Sequence, residues 1–496
     1  MGSTSKGPSK RRQPSERSER ALLVAVWVAQ LAILLVVAAH HEPWRDEADV
    51  WLFARDAESS AWLSFLKHSG TPGLWHLLVA PLARSGLPYA SINILNVAIV
   101  SIGVAIFLRY ARLPLLLKVL IPFGVLPLHE YGVVARSYGL SFTLLMATCA
   151  VLGARRPRPL LTGLLSALLA TTNAHSLVLA AGLGLFWLLE TWWARPPGAP
   201  LLPRAMALGM ALAIAGGLLS IWILLPPDDP QLIEREFRVE RVLLSLLRDA
   251  FFPSFSRLPG GCLGAVSLVW IVLSLRPRRE VFAFVLWSAV GLITFFLAVY
   301  SGYLRHAGFL WLATTAAVWL EEGDVARRVP RRSVLLLLFA FSALSHLKAG
   351  VDRSGLDYDA PFSSSFEAAE FLRSLDLESA VVAAHPATTG EAVLPYLPIT
   401  TFYYPGHDGF GSYMPWNGAY VRGLVTTAPD AFLQTRARFP EPRPIVFITS
   451  KPVDDPAALG LTLRHRTAAP PEYFKQEEEY SIYTAGDVPR VNAPAR

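Results

Sequence analysis

The chain has 496 residues, of which 53% are hydrophobic and 17% charged, a balance that excludes an ordinary soluble protein and defines a membrane protein. Its net charge of +7 is spread over short Arg and Lys clusters between apolar runs, where topology signals lie, so no nucleic-acid partner is expected. Cys149 and Cys262 are far apart, each in or beside an apolar run, which suggests neither a disulfide framework nor a CxxC metal site and predicts two buried free thiols.

The opening MGSTSKGPSKRRQPSERSER is basic, rich in Ser and without core-forming side chains, so residues 1–20 are expected to be a disordered cytoplasmic tail. The apolar run that follows resembles a signal peptide, with VAA before His40 as a cleavage site. It is longer than a usual h-region, and a retained first span is expected. Crossing about 30 Å of hydrocarbon takes roughly 20 helical residues. By that measure spans are predicted near 21–40, 89–108, 113–128, 138–154, 159–172, 174–194, 205–225, 259–275, 281–300, 306–320 and 333–348.

The segment from Gly73 to Gly86 reaches only about 21 Å. If it does not cross, the N-terminus and the clusters around Arg109, Arg155, Arg204, Arg278 and Arg327 all fall in the cytoplasm, as the positive-inside rule requires. If it crosses, every later cluster moves outside. It is therefore read as an interfacial helix. This gives a polytopic α-helical protein of about eleven spans (21–350) with a first extracytoplasmic loop at 41–88.

That topology gathers the ionisable residues at one face: Asp46, Glu47 and Asp49; His129, Glu130 and Arg136; Asn173 and His175; Asp228 and Asp229; Tyr303, Arg305 and His306. A charge at mid-bilayer costs at least about 2.5 kcal/mol, so such groups at span ends line a polar cavity or reach headgroups, and clustering favours the cavity.

Two readings of EPWRDEADVWLFARD remain open on these grounds. In one, the acids sit in the first turn of a helix opened by Pro43, where the dipole favours them by about 0.3 to 1 kcal/mol, and Trp44, Trp51 and Phe53 anchor it in the headgroups. In the other, one carboxylate is a general base at the membrane surface. HEYGVVARSYGL places Arg136 and Tyr138 to meet a phosphate or a sugar, or Arg136 to snorkel to lipid phosphate. TTNAHS puts Asn173 and His175 at a polar hairpin tip or in a site, and YSGYLRHAG starts a span with Arg305 and His306. The stretch from Phe237 to Phe255 is amphipathic and reads as an interfacial helix. No HExxH, GxSxG, GxxxxGK[ST] or CxxC occurs, so zinc hydrolysis, serine acyl transfer and nucleotide hydrolysis have no support.

The order PWRDEADVWLFARD, TPGLWHLL, ARSYGL, TNAHS and LRHAG, from about Ala21 to Leu320, resembles the GT-C membrane glycosyltransferases, nearest the protein O-mannosyltransferase and aminoarabinose-transferase branch. The resemblance implies inverting transfer of a sugar from a polyprenyl-phosphate donor to an extracytoplasmic hydroxyl on a glycan, lipid or protein. Asp46 matches the first-loop catalytic acid of that family, with Glu47 as its rival. Arg136 and Arg305 are assigned to the donor phosphate, and Tyr138, Asn173, His175 and His306 to substrate contacts. Some relatives bind a metal near the first-loop acids. Here Asp46 and Glu47 lack a second acidic pair, so no metal and no cofactor is expected. The rival class is a transporter or flippase, which tends to place coupling residues near mid-membrane in paired repeats.

From Asp352 the pattern FEAAEFLRSLDL, SAVVAA, TGEAVLPYL, ITTFYY, DAFLQTRARF, PIVFITS alternates helix and strand and predicts a small extracytoplasmic α/β domain (351–496) with a mainly parallel sheet. Its aromatic loop from Gly406 to Tyr420 is a candidate sugar- or acceptor-facing surface. The expected location is the inner membrane, N-terminus in the cytoplasm and tail domain outside.

Overall fold

The computed structural model describes residues 14–195, 203–225, 227, 239–300, 302–321, 330–418, 426–470 and 478–491. Residues 1–13, the pair Asp228 and Asp229, and the start of the amphipathic stretch at Phe237 and Arg238 lie outside them. The chain is a helical bundle carrying a small sheet domain at one end.

Helix α1 (Pro14–His40) already begins within the stretch expected to be tail. The first loop holds α2 (Arg45–Asp56), α3 (Trp62–Ser69) and α4 (Leu74–Arg84). The bundle continues with α5 (Ser91–Tyr110), α6 (Leu115–Leu120), α7 (Ser137–Leu152), α8 (Pro159–Ala170), α9 (Ala174–Ala194) and α10 (Arg204–Leu224). It closes with α11 (Val239–Phe251), α12 (Arg257–Leu275), α13 (Arg279–Ala298), α14 (Leu304–Glu321) and α15 (Pro330–Asp359).

Seven of these, α1, α5, α9, α10, α12, α13 and α15, are long and apolar enough to cross a membrane, and α7 and α8 are shorter apolar helices. The span expected at 113–128 is not one helix. Pro122 and Pro127 each remove a backbone donor, and the chain breaks into α6, a 3-10 turn at Ile121–Phe123 and a π-turn at Leu126–Glu130. In α14 every residue but Arg305 and Glu321 is buried, which makes it the central post of the bundle. Close helix approach relies on small residues: a Cβ on Gly163 of α8 would overlap the carbonyl of Gly209 in α10, and one on Gly209 that of Pro159. Cys149 is buried as expected, whereas Cys262 is exposed on the outer side of α12.

The two ends of the bundle differ in chemistry. At one, Arg112 donates to the carbonyl of Gly153 (2.5 Å), and Arg278 reaches Glu190 (3.9 Å) and the carbonyl of Leu320 (2.8 Å). At the other stand Asp46, Arg136, Arg305 and the sheet domain. The basic clusters and the acidic loop thus lie apart.

Helix α15 runs on past the boundary expected at 350, and the sheet domain starts only after it. Its helices are α16 (Ser365–Arg373), α17 (Ala387–Val393) and α18 (Ala428–Arg438). The strands are β1 (Val381–His385), β2 (Phe402–Tyr404), β3 (Gly409–Gly411), β4 (Ile445–Thr449), β5 (Thr462–Arg466) and β6 (Ser481–Ala485), in the order β3-β2-β1-β4-β6-β5. The three strands read from the sequence, β2-β1-β4, are parallel; β3, β6 and β5 add antiparallel edges, so the sheet is mixed rather than mainly parallel. The first-loop helix α2 is the joint between the parts. Its Leu52 enters the core of the sheet domain, while Ala48, Val50, Trp51 and Ala54 pack with Trp75 and Val79 of α4 and with Ala135.

Candidate active site

Trp44 precedes α2 in extended conformation and the Glu47 carboxylate reaches back to the Trp44 amide (3.2 Å), which fixes the start of the helix. This places Asp46 and Glu47 in the first turn pointing to different neighbours. Asp46 forms an ion pair with Arg136, the residue just before α7, and lies 3.7 Å from Arg305, in the first turn of α14. Arg45 adds a third cation at 3.9 Å. Burial opposes ionisation of Asp46, but Arg136, then Arg305 and Arg45, more than offset it and hold the carboxyl below its ordinary range.

The two acids differ in access. Asp46 keeps 27% of its side chain exposed and Glu47 none. Glu47 accepts from the Ala135 amide (2.6 Å) and from His41 Nε2 (3.0 Å). His41 Nδ1 in turn faces Asp357 at the end of α15 (2.8 Å), which also meets His129 Nε2 (3.0 Å), and the adjoining Glu130 pairs with Arg353. Glu47 is thus the inner end of a buried charge network that ties the first loop to α15, while Asp46 faces the space shared by the two arginines.

Arg305 stacks on Trp44 (5.3 Å) and Tyr303 (5.1 Å), and its buried Nε has no hydrogen-bond partner among the described residues. Arg136 lies over Tyr138 (5.8 Å). The Tyr303 amide donates to His306 Nδ1 (2.9 Å), so in neutral His306 the proton sits on Nε2, which donates to Tyr138 Oη (2.8 Å). Tyr138 keeps its own hydroxyl proton for another acceptor. His175 stacks on His306 (5.1 Å), and its Nε2 is buried without a partner among the described residues.

Asp46, Arg136, Tyr138, His175, Arg305 and His306 therefore meet at one end of the bundle. Asn173 does not join them. Its side chain accepts from the Ser176 amide (2.9 Å) as the cap of α9 and donates to Ser141 (2.8 Å). Sequence reasoning missed Arg45, the Trp44 face under Arg305, and Tyr131, whose hydroxyl donates to the Arg305 carbonyl (2.7 Å) and braces the turn. Asp49, one turn beyond Asp46, accepts from Trp416 Nε1 (3.2 Å) of the sheet domain and links that domain to α2. Among the described residues no group of three or more His, Cys, Asp or Glu is arranged to hold a metal ion.

A central helical bundle with an acidic first-loop helix and a small sheet domain at the same end is the class of membrane fold that the chain adopts. Within that class the chain is similar to two crystal structures of ArnT from Cupriavidus metallidurans, one bound to undecaprenyl phosphate and one in the apo state. Both superpose with a TM-score of 0.56 at 13% identity, over 96% and 95% of this chain respectively and 98% of the ArnT chain. No family model and no curated protein matches the sequence.

Proposed function

We propose that the protein is an inverting glycosyltransferase that moves a sugar from a polyprenyl-phosphate donor to a hydroxyl outside the cytoplasm. The observation that carries this reading is one partly exposed carboxylate, Asp46, facing two arginines from different helices, Arg136 and Arg305. The ArnT fold, crystallised with undecaprenyl phosphate, supports the donor class.

The chemistry follows from the charges. A donor phosphate entering beside Arg136 and Arg305 competes with Asp46 for them. As its negative charge arrives, the field that depresses the Asp46 carboxyl weakens and Asp46 becomes a stronger base. Asp46 then takes the acceptor hydroxyl proton while the acceptor oxygen attacks the anomeric carbon. The anomeric carbon–oxygen bond breaks with its electron pair going to the phosphate, where Arg136 and Arg305 balance the charge. A phosphate leaves without protonation, so the second carboxyl acid of a glycoside hydrolase is not needed. Tyr138, through its hydroxyl proton, and His175 Nε2, which has no partner among the described residues, are the sugar contacts.

In a strain lacking the protein, mass spectrometry of lipid-linked sugars should show one polyprenyl-phosphate sugar accumulating while one envelope glycan loses that residue. An unchanged lipid and glycan profile sinks the reading. Arg136→Ala and Arg305→Ala should each weaken binding of a polyprenyl-phosphate donor analogue by about tenfold or more, the scale of a charge-assisted contact of about 1.5 to 3 kcal/mol. Unchanged affinity removes that arginine from the phosphate site.

The proposed location is the inner membrane with the sheet domain outside. Cysteines placed at Ser85 and Arg156 and probed with an impermeant reagent in intact cells should label at 85 only. Labelling at 156 instead would invert the bundle.

A further inference from the structure

The sheet domain is tied to the start of α2 at three polar points. Glu42, just ahead of the helix, accepts from the Phe366 amide (2.5 Å) and the Ser365 hydroxyl (3.0 Å) at the start of α16, and Glu478 accepts from the Arg45 amide (3.1 Å). In both, one carboxylate meets N–H or O–H donors. The third tie differs in kind. Glu391 of α17 is buried, and its carboxyl and that of Asp49 on α2 hydrogen-bond each other.

Each acid has one oxygen committed elsewhere: Asp49 Oδ2 accepts from Trp416 Nε1 (3.2 Å) and Glu391 accepts from the Met414 amide. Asp49 Oδ1 and Glu391 Oε1 are buried with no donor among the described residues. A carboxylate only accepts, so a bond between two of them exists only while one carries a proton. Burial favours that neutral form. It pushes Asp49 up to about 7, and burial together with Asp49 holds Glu391 well above the ordinary carboxyl range.

The charged and titratable groups facing the pair are Asp46 and Arg136 on the bundle side and Tyr404 of β2 on the sheet side. From α4, packed on α2, His76 is pushed down to about 3 by burial and stays neutral. On α16, beside α17, Glu367 turns to His465 (3.1 Å) and Arg373 to the Tyr396 carbonyl (3.0 Å). Two unprotonated acids here would draw Arg136 away from Asp46 and the donor phosphate, and would repel each other across the joint. One shared proton prevents both.

We propose that Glu391 is a positioning residue for the transfer reaction: it holds a proton against Asp49, one turn along α2 from the base, and so keeps α2 docked and Arg136 committed to the Asp46 site. The proposal rests on the transferase reading and adds to it a residue of the sheet domain.

The test compares Glu391→Ala and Glu391→Gln in the full-length protein in membranes. Small misplacements of a reacting group cost up to about 10²-fold, so the alanine variant should transfer sugar at least about tenfold more slowly. The glutamine variant, whose amide N–H takes over as donor, should restore most of the rate. It cannot ionise, so its rate relative to wild type should rise from pH 7 to pH 10; the His41, Glu42 and Glu478 steps occur in both proteins and cancel in the ratio. Infrared difference spectra at pH 7 should show a protonated-carboxyl C=O band in the wild type that is missing from Glu391→Gln. No such band, a flat rate ratio, or a glutamine variant as slow as the alanine one overturns the proposal, and leaves the transferase reading standing if transfer still depends on Asp46. A band present in a protein that transfers no sugar from any polyprenyl-phosphate donor ends the transferase reading, and the positioning role with it.

Discussion

Asp46→Asn should lower sugar transfer by about 10²- to 10⁴-fold, as expected for loss of a general base, and should leave the protein inserted and folded. The substitution keeps the size of the side chain and removes only its charge. Arg136 and Arg305 lose their shared anion, but Arg305 still stacks on Trp44 and Tyr303, and Arg136 on Tyr138. The partly exposed pair is also screened by solvent, so the effect on stability is small, in the range of about 0 to 1 kcal/mol for ion pairs of this kind. The donor phosphate no longer competes with Asp46 for the arginines, so donor-analogue affinity should be unchanged or higher while turnover is lost. Transfer measured in membranes with purified lipid-linked sugar, beside thermal unfolding of the same variant, separates these effects. Wild-type turnover by the variant would end the assignment of Asp46 as base.

The parts of this site legible in the sequence were those signalled by cost. Charged residues at the ends of apolar runs are expensive, and placing the basic clusters together at one end brought Asp46, Arg136 and Arg305 to the other, where they do meet. Helix caps carry no such signal: Asn173 has the residue type of a ligand and of a cap, and only its bond to the Ser176 amide tells them apart. The break within 113–128 leaves no mark on hydropathy, because Pro122 and Pro127 end the helix without making the run less apolar. In the sheet domain β1, β2 and β4 are fully buried and read as apolar runs, whereas β5 (TLRHR) is mostly exposed and polar and gave no period to detect. The His41–Asp357 contact joins residues 316 positions apart, and no local pattern marks it. For the same reason Glu47 stands in the sequence as a rival to Asp46, and only its partners in the fold separate the two.

That difference yields the second large effect. Glu47→Ala should destabilise the protein by about 3 to 5 kcal/mol, the cost of removing one partner from a buried charge pair. Both nitrogens of His41 face carboxylates. Burial alone would lower its pKa, but Asp357 and Glu47 outweigh burial and push it up to about 10, so His41 is an imidazolium donating to both. Without Glu47, the Ala135 amide and one His41 N–H lose their acceptor in a dry site, and the turn that aims Arg136 loses its brace. Transfer therefore falls too, but together with the melting temperature, unlike in Asp46→Asn. A raised folded pKa stabilises the protein fully below the unfolded value of about 6.5, and the gain is lost as pH rises through about 10. Wild-type protein should accordingly melt lower at pH 10 than at pH 6. In Glu47→Ala, where His41 keeps a single carboxylate, the decline should begin at lower pH. Thermal unfolding in detergent at both pH values reads the two effects. A Glu47→Ala variant that melts like the wild type at each pH yet transfers no sugar would make Glu47 the base and leave Asp46 as the anion that holds the arginines in place.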